Sequence, residues 1–325
     1  MLIVFILKHG KPLSNYMETI NLSYIITTKN KINYLPYVIE KLLQNIQTDE
    51  EIVVVDSDSS DGTKEYLTGL FGKGLIHKFI SEQDYAQAHG CNKALLIADG
   101  KLLKIINDDD IFYYDGIRKC KEFMLEHSEI DLLGMDGAGT SANDLICYSS
   151  YPEYLNAFNK WKSDRTPFAF CDLGLMIRKS SLSYLGLFNS AFFRLDAEYT
   201  FRSSALPKTK IAWYTGHCWV RLANEMSISS RNPKNMIDEG NTLELIYLGK
   251  FPKKEKKEKN IIFINKFINK NKAILRKILI LLKIKKQNNI IQENIQKKYT
   301  WEKRYKNAEL WLKEINKNTN ASFFY

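Results

Sequence analysis

The chain has 325 residues, of which 45% are hydrophobic and 26% charged, which is the composition of an ordinary globular protein. The net charge of +10 is unevenly distributed, because residues 250–325 hold 21 Lys/Arg and 6 Asp/Glu, whereas residues 1–249 hold 26 and 31. This division excludes a basic, nucleic-acid-binding body, and the positive charge of the C-terminal tail needs its own explanation.

Alternating strand and helix signals fill the first third of the chain. Apolar or β-branched runs predict strands, and apolar residues at helical spacing predict helices between them. The predicted strands are Leu22–Thr27, Glu51–Asp56, Leu75–Ile80 and Leu102–Ile106, and the predicted helices cover residues 34–46, 62–70 and 87–98. This order favours right-handed parallel crossovers and an α/β sheet of nucleotide-binding type.

Polar side chains follow three of these strands, at the edge where open α/β sheets bind ligands. Residues 28–30 follow the first strand, Asp56, Asp58 and Asp61 end the second, and Asn107–Asp110 follow the fourth. An acidic edge suits a nucleotide diphosphate when a divalent cation bridges carboxylate and phosphate. The sequence contains neither the glycine loop of dinucleotide-binding folds nor that of P-loop ATPases, so both classes are disfavoured.

The five cysteines show no Cys-x-x-Cys spacing, so the sequence suggests neither a zinc site nor a redox pair. An odd number of cysteines in a chain of this length favours a reducing, cytoplasmic compartment. The opening residues 1–10 make a poor signal peptide and are interpreted as an extra strand or as sequence upstream of a start at Met17. No run of 18 apolar residues occurs, so we expect no spanning helix.

The second half of the chain ends in a basic tail. A strand is predicted at Cys171–Lys179, a helix within Phe192–Arg202, and a strand before His217. Residues 251–259 form a charged linker, residues 261–286 a basic amphipathic segment, and Tyr299–Ile315 a second helix with Trp301, Tyr305 and Trp311. We expect an anionic membrane surface as the partner of this tail, with packing on the body or on a second copy as the alternative. RNA binding is third, because no nucleic-acid module surrounds the charge.

Three motifs in this order resemble the family 2 glycosyltransferases, which have the GT-A fold. The motifs are YIITTKN, VVDSDSSDGT and the stretch from ISEQD to NDDD, and the likeness covers about Leu22–Ala205. We therefore expect an N-terminal extension (1–20), a GT-A domain (21–230) and a linker with a basic helical tail (231–325). The resemblance implies an inverting, metal-dependent transferase. A membrane-facing tail would place it on the inner face of the cytoplasmic membrane, beside a lipid-linked acceptor, as in surface polysaccharide or lipooligosaccharide synthesis.

The resemblance also implies a donor site for a nucleotide-sugar, with UDP-sugars as the commonest class. Thr27 and Asp56 are expected against the base and ribose, although Asp56 could instead only stabilise its loop. Asp109 is the expected ligand of Mn²⁺ or Mg²⁺, and His217 the second, with a merely packed His217 as the alternative. The remaining residues assigned to the donor site are Asn30, Asp84, Asn107 and Asp108, where Asn107 replaces the usual first Asp of the metal motif.

In the family, an acidic residue at the start of the helix predicted here is the general base, and Asp196 matches it best. The alternative for Asp196 is a plain helix N-cap. Glu198 is the alternative base, but it lies about 200° around the helix from Asp196. The Gln-x-x-Arg-Trp motif of the family's processive synthases is absent and no spanning helix is expected, so addition of a single sugar to a glycan or lipid-linked acceptor is favoured over polymer synthesis. The rival interpretations are a nucleotidyltransferase, disfavoured because TTKNKINY lacks glycines, and a non-catalytic nucleotide-sugar-binding protein, for which Asn107 is the best support.

Overall fold

The computed structural model describes residues 19–141, 144–224, 227–251 and 300–325. The strands are β1 (Leu22–Thr28), β2 (Glu50–Asp56), β3 (Lys78–Ser81), β4 (Leu102–Ile106), β5 (Ile111–Phe112), β6 (Leu132–Ser141), β7 (Asp144–Ser150), β8 (Leu175–Arg178), β9 (Ile211–Arg221) and β10 (Phe323–Phe324). The helices are α1 (Leu35–Asn45), α2 (Thr63–Gly72), α3 (Gln87–Ile97), α4 (Tyr114–Glu126), α5 (Pro152–Asp164), α6 (Leu182–Leu185), α7 (Leu195–Ala205), α8 (Ile228–Arg231), α9 (Pro233–Leu248) and α10 (Trp301–Asn318).

One mixed sheet organises these elements, with the strand order β10-β9-β6-β8-β4-β1-β2-β3. The strands β4, β1, β2 and β3 are mutually parallel, as the alternating pattern predicts. The strand β8 joins β4 and β6 in antiparallel fashion, and β6 pairs with β9 in parallel. The predicted α/β class, with parallel strands in the first part of the chain, is therefore confirmed.

The sheet is buried on both faces. In β1, Tyr24 and Ile26 point into one apolar cluster and Ile25 into the other, as the two-residue period of a strand requires. The first cluster takes side chains from α1 and α4, and the second takes side chains from α3, α5 and α7. Because both faces are covered, the strands read as continuous apolar runs rather than as an alternating pattern.

The boundaries differ from the sequence-based expectation in the second half. The predicted strand at Cys171–Lys179 begins only at Leu175, because residues Asp172–Gly174 form a 3₁₀ turn. The helix predicted within Phe192–Arg202 begins at Leu195. Both differences lie at the ends of elements, where apolar periodicity carries little information.

Helix α10 packs against the body. Tyr305, Ala308 and Leu312 are 4%, 0% and 1% exposed and belong to the first apolar cluster. Trp301 lies 4.5 Å from the ring of Tyr34, and β10 extends the sheet beyond β9. For this helix, the described contacts favour the packing alternative over a free membrane-surface helix. The basic amphipathic segment at 261–286 lies outside the described residues. Among the described helices, none is both long and apolar enough to cross a bilayer.

Candidate active site

The strands β1, β2 and β4 end side by side, which brings three polar loops to one edge of the sheet. Thr28 is in register with Asp56, and Ile26 is in register with Ile106. Since β1 lies between the other two strands, the loop that follows it contacts both neighbouring loops. This edge therefore gathers the polar motifs that the sequence analysis singled out.

Asp56 is fully buried and holds its own loop. Its carboxylate accepts hydrogen bonds from the Ser59 amide (3.0 Å), from the Ser59 hydroxyl and from the Ser81 hydroxyl (2.7 Å). With 0% of its surface exposed, the side chain offers no face to a bound nucleotide in this conformation. For Asp56, these contacts favour the loop-stabilising alternative over direct contact with the donor.

Asn30 joins the first two loops. Its side-chain oxygen accepts a hydrogen bond from the backbone N–H of Ser60 (2.8 Å), and its backbone N–H donates to the Ser59 hydroxyl (2.8 Å). Its backbone is left-handed, with φ of 54°, a conformation that Asn tolerates better than most residues. The two loops are thus fixed relative to each other at the edge of the sheet.

Thr27 and Asp84 meet near the start of α3. Asp84 pairs with Lys93 (2.6 Å), and its backbone N–H donates to the Ser57 hydroxyl (3.1 Å). A Cβ on Gly90 would lie 2.5 Å from an Asp84 carboxylate oxygen and 3.4 Å from the Thr27 methyl carbon. The structure therefore brings these two predicted donor residues together, and the helix approaches them this closely because position 90 has no side chain.

The acidic motif surrounds one lysine. Asp108 and Asp109 are 8% and 7% exposed, and the Lys31 ammonium donates to Asp109 and lies 3.6 Å from Asp108. Burial and the neighbouring Asp109 raise the pKa of Asp108 to about 7. For Lys31, burial lowers the pKa, but Asp108 and Asp109 outweigh burial and hold it above its usual value. One cation thus compensates only part of the charge of this motif.

The end of β9 closes over the same motif. The Leu222 amide donates to Asp110 (2.9 Å), and the Asn224 side-chain amide donates to Asp109 (3.0 Å). The Asn107 side chain donates to Asp110 at 3.3 Å, so it orders the motif from within. Burial, followed by the charge of Asp109, raises the pKa of Asp110 well above its usual range.

The residues of this motif fit a divalent cation. Carboxylate oxygens are the ligands that Mg²⁺ and Mn²⁺ prefer, and Asp108 and Asp109 carry more negative charge than Lys31 offsets. An ion at Asp109 would take the place that the Lys31 ammonium occupies in this structure. The motif is thus a candidate metal site of two carboxylates, to which Lys31 supplies a competing cation.

His217 is not part of this arrangement. Its Nε2 lies 2.8 Å from the Ser150 hydroxyl, its ring is edge-on to Trp311 at 5.6 Å, and its backbone exchanges hydrogen bonds with Asn316. Burial lowers the pKa of His217. Within the described ranges, neither His217 nor Asp109 belongs to a group of three acidic, cysteine or histidine residues whose ligand atoms lie close together. The geometry thus favours the packed alternative and does not support His217 as a metal ligand.

Asp196 lies in the first turn of α7 and is half-buried. Burial raises the pKa of its carboxyl, while the Ala197 amide, at 2.8 Å, and the charge of Arg194 oppose that shift. The Cys171 thiol and the Asp172 carboxyl lie within 4.8 Å of it. A partly accessible carboxyl with a raised pKa is suited to accept a proton near neutral pH.

Glu198 faces away from Asp196, as the helical period predicts. It is 3% exposed and accepts a hydrogen bond from the Arg202 guanidinium at 2.8 Å. Arg202 also donates to the carbonyl oxygens of Leu185 and Leu187. Glu198 therefore anchors an arginine that ties α7 to the preceding loop, and this contact leaves Asp196 as the accessible acid.

Sequence reasoning missed several residues that complete the site. Arg221, at the end of β9, lies over the ring of Tyr151 at 5.9 Å. Burial lowers the pKa of its guanidinium, but Tyr151, Cys171 and Asp110 outweigh burial and hold it above its usual value. Lys31 could have been suspected as a basic residue in a loop at the acidic edge. No local signal marks Asp172 or Asn224, because each reaches the site through pairing of distant segments.

An apolar cavity of about 590 Å³ lies beside α7, between α5, residues 166–169 and α9. It is lined mainly by apolar side chains such as Phe168, Phe201 and Leu243, together with the charged residues Lys160, Arg194, Glu244 and Lys250. Arg194 and Ala197, which line it, flank Asp196 in the sequence. Its size is within the range of small-molecule sites.

Comparison with known proteins identifies the family. The model described as glycosyl transferase family 2 matches residues 23–186, just over half of the 325 residues. An uncharacterized glycosyltransferase of Rickettsia felis is 31% identical over 108 residues, which are 33% of this chain and 18% of that protein. A PGL/p-HBAD biosynthesis glycosyltransferase of Mycobacterium tuberculosis is 25% identical over 208 residues, covering 62% of this chain and 76% of that protein.

Solved structures share the fold. The mannosyltransferase PcManGT from Pyrobaculum calidifontis, in complex with GDP-Man and Mn²⁺, has a TM-score of 0.53 and 17% identity, covering 71% of this chain and 65% of that chain. TarS 1-349 of S. aureus, in complex with UDP-GlcNAc, has a TM-score of 0.52 and 17% identity, covering 69% and 66%. The fold, the acidic edge and the match to the family model lead to one conclusion: the chain belongs to glycosyl transferase family 2.

Proposed function

We propose that the protein transfers one sugar from a nucleotide-sugar, with UDP-sugar as the first candidate, to an acceptor hydroxyl with inversion at the anomeric carbon. The observation that carries this proposal is the pairing of two sites. The buried acidic motif around Lys31 lies at the end of the sheet, and a second carboxyl, the half-buried Asp196, lies in the first turn of α7.

On the donor side, the loops fixed by Asn30 and Asp56 would receive the nucleoside, with Thr27 and Asp84 beside them. Asp108 and Asp109 would hold Mn²⁺ or Mg²⁺, which when bound offsets the charge of the departing diphosphate. Lys31 and Arg221 are the chain's own cations next to this motif, and they would orient the diphosphate. Asn107 would keep Asp110 in place through their hydrogen bond.

On the acceptor side, Asp196 would take the proton from the attacking hydroxyl while that oxygen forms the new bond to the anomeric carbon. The bond from that carbon to the diphosphate oxygen breaks, and the nucleoside diphosphate leaves with the electron pair. Attack from the face opposite the leaving group inverts the configuration. Binding of both partners in one site supplies the orientation that this step needs.

The cavity beside α7 supports an acceptor with an apolar part. Phe168, Phe201 and Leu243 would cover that part, and the positive charge of Lys250 suits a phosphate at its edge. A lipid-linked acceptor of surface polysaccharide synthesis combines these features. We expect faster transfer to an alkyl or polyprenyl phosphate glycoside than to the free sugar, and equal rates would argue against this use of the cavity.

We also propose that the C-terminal tail contacts the cytoplasmic face of a membrane. Helix α10 is packed on the body, so this role would fall to the basic residues before it in the sequence, between residues 252 and 299. Co-sedimentation with vesicles of anionic or of purely zwitterionic lipid tests it. Binding that requires anionic lipid and falls with salt would support it.

The experiment that tests the proposed function is release of a nucleoside diphosphate from a panel of nucleotide-sugars, with Mn²⁺, with Mg²⁺ and with a chelator. We expect one donor to be hydrolysed slowly without acceptor, and Asp109→Ala to abolish this release. With acceptor, Asp196→Asn should lower turnover about 100-fold or more. The control Asp115→Asn changes an exposed carboxylate on α4 and should leave turnover unchanged.

The rival functions predict different results. A non-catalytic binding protein would bind a nucleotide-sugar without turnover, and Asp196→Asn would change nothing. A nucleotidyltransferase would release pyrophosphate from a nucleoside triphosphate. Failure of every donor to bind would refute the assignment of this edge as a nucleotide-sugar site.

A further inference from the structure

Helix α10 runs beside α1 in the same direction. Three of its side chains, spaced four residues apart, contact three side chains along α1 and the residue before it. The pairs are Trp301 with Tyr34 (ring centres 4.5 Å apart), Tyr305 with Tyr37 (5.9 Å) and Glu309 with Lys41 (3.0 Å). The residues from 301 to 309 rise about 12 Å along a helix, and those from 34 to 41 about 10 Å, so the two helices stay in register. The first turn of α10 therefore lies where α1 begins, at the loop that follows β1.

On its other side, α10 runs antiparallel to β9. The Arg304 guanidinium donates to the carbonyl oxygen of Ala223 (2.6 Å), just beyond the end of β9. Farther along α10, the Asn316 side chain exchanges hydrogen bonds with the backbone of His217 (3.1 and 2.8 Å). Residues 304–316 of the helix rise about 18 Å, and residues 217–223 of an extended chain span about 20 Å, so the two series match. The first turn of α10 is thus placed beside the end of β9 as well.

Trp301, in this first turn, contacts the segment that carries Lys31. The Lys31 carbonyl oxygen accepts hydrogen bonds from the backbone N–H groups of Tyr34 and Leu35 (2.9 Å each), which fixes the turn before α1. The Lys31 ammonium lies 5.5 Å from the centre of the Tyr34 ring, and the Trp301 ring meets that same ring edge to face. One of the two side chains that contact Asp109 is therefore supported from α10.

Arg304 holds the segment that carries the other one. Ala223, whose carbonyl oxygen Arg304 binds, is followed directly by Asn224, and the Asn224 side-chain amide donates to Asp109 (3.0 Å). The preceding residue, Leu222, donates its backbone N–H to Asp110 (2.9 Å). Residues 222–224 thus join α10 to the acidic motif through three hydrogen bonds.

The surroundings of Arg304 indicate that its guanidinium has a task beyond packing. The side chain is 7% exposed, and within the described residues its Nε has no hydrogen-bond partner. Burial lowers the pKa of Arg304, and the groups that oppose this shift are the hydroxyls of Tyr148 and Tyr34, not carboxylates. A buried charge is costly unless it is paired, so an apolar side chain would fill this space at lower cost. What the guanidinium adds is the hydrogen bond that fixes Ala223.

We propose that Arg304 is a positioning residue of the metal site: from α10 it fixes Ala223 and so places Asn224, which orients the Asp109 carboxylate for a divalent cation. This proposal rests on the proposed function, in which Asp109 holds Mn²⁺ or Mg²⁺. Arg304 itself would touch neither the cation nor the substrates. The C-terminal helix is accordingly a part of the donor site.

Removal of the guanidinium should weaken metal binding without disabling the bound metal. Loss of a partner that orients a metal ligand costs about 10–100-fold in metal affinity, and Arg304 acts one residue further away, so Arg304→Met should raise the Kd for Mn²⁺ about tenfold. At saturating Mn²⁺, kcat for release of the nucleoside diphosphate should return to within about twofold of the wild type. Arg304→Lys keeps a cationic donor for the Ala223 carbonyl and should keep the Kd within about threefold.

The test titrates the full-length protein with Mn²⁺ and follows the electron paramagnetic resonance signal of the free ion, which needs no substrate. The proteins compared are the wild type, Arg304→Met, Arg304→Lys, Asp109→Ala and Leu312→Ala. Leu312 is a matched control, because it is 1% exposed on the same helix and about 12 Å farther along it. Leu312→Ala should lower the midpoint of thermal unfolding by about 5–10 °C and leave the Kd for Mn²⁺ unchanged.

A wild-type Kd for Mn²⁺ in folded Arg304→Met would overturn the proposal. An equal rise of the Kd in Leu312→Ala would overturn it too, because the effect would then come from docking of the helix in general. If Arg304→Met melts below the assay temperature, Arg304→Gln replaces it and is judged by the same Kd. The failure of the proposed metal site is distinct: the wild type would then bind no Mn²⁺, or Asp109→Ala would bind it equally well, and both proposals would fall. Binding that Asp109→Ala abolishes and Arg304→Met leaves unchanged would refute only the role of Arg304.

Discussion

Lys31 offers a direct test of the charge balance at the acidic motif. Its side chain is 8% exposed and is paired with Asp108 and Asp109, which are 11% and 10% exposed. Lys31→Met keeps most of the side-chain volume and removes the ammonium. Removal of one partner from a buried ion pair costs about 3–5 kcal/mol, because the remaining charge is left uncompensated. At about 2–4 °C per kcal/mol, the midpoint of thermal unfolding should fall by roughly 10 °C.

The loss should depend on pH and on metal. Burial already raises the pKa of Asp108 to about 7, far above its value in the unfolded chain, so the folded state takes up a proton as the pH falls from about 8 towards 4. Acidification should therefore reduce the cost of Lys31→Met. A divalent cation would also compensate the carboxylates, so Mn²⁺ should raise the melting temperature of Lys31→Met more than that of the wild type.

The assay is thermal unfolding followed by circular dichroism at pH 5.5 and pH 8, with and without Mn²⁺. Lys160→Met is the control, because Lys160 pairs with Asp164 on the surface, where such pairs contribute about 0–1 kcal/mol. Equal stability of Lys31→Met and the wild type at pH 8 would refute the argument from charge balance. An equal response of both proteins to Mn²⁺ would refute the competition between Lys31 and the metal.

Three further predictions concern other parts of the molecule. Gly90→Ala places a Cβ 2.5 Å from an Asp84 oxygen, so the affinity for the donor, measured by fluorescence titration, should fall several-fold. The control Gly69→Ala has open space around the new Cβ and should leave the donor affinity unchanged. Tyr305→Ala should lower the free energy of unfolding in urea by about 3 kcal/mol, because the ring is 4% exposed against the core; a loss below 1 kcal/mol would contradict the docking of α10. His217→Gln should leave the thermal response to Mn²⁺ unchanged, and loss of that response would restore His217 as a ligand.

The local sequence identified most of the elements of the N-terminal sheet. Continuous apolar runs such as Leu22–Thr28 and Glu50–Asp56 form strands because both of their faces are buried. The order of strands and helices then left few topologies, since parallel crossovers are almost always right-handed. The polar residues after the strands marked the edge that carries the candidate site.

Roles that depend on long-range contacts could not be obtained in this way. Asp56 and Asp109 occupy similar positions after strands, yet the first is enclosed by its own loop and the second meets Lys31 and Asn224. For His217, the resemblance left both a ligand and a packed side chain open, and its neighbours on β7 and α10 favour the packed one. The type of a residue determines which chemistry its side chain can perform, whereas its burial and its neighbouring side chains decide whether that chemistry is used.

The sequence by itself determined the α/β class and the acidic edge, because these follow from periodicity and from the order of motifs, whereas Asp196 became the candidate base through the resemblance to the family. Only the tertiary structure decided that Lys31 enters the acidic motif, that Asp172 lies beside Asp196 and that α10 covers the first apolar cluster. Each of these contacts joins segments far apart in the chain. Their pairing is set by the register of the sheet and by the burial of apolar faces, which no local window of sequence contains.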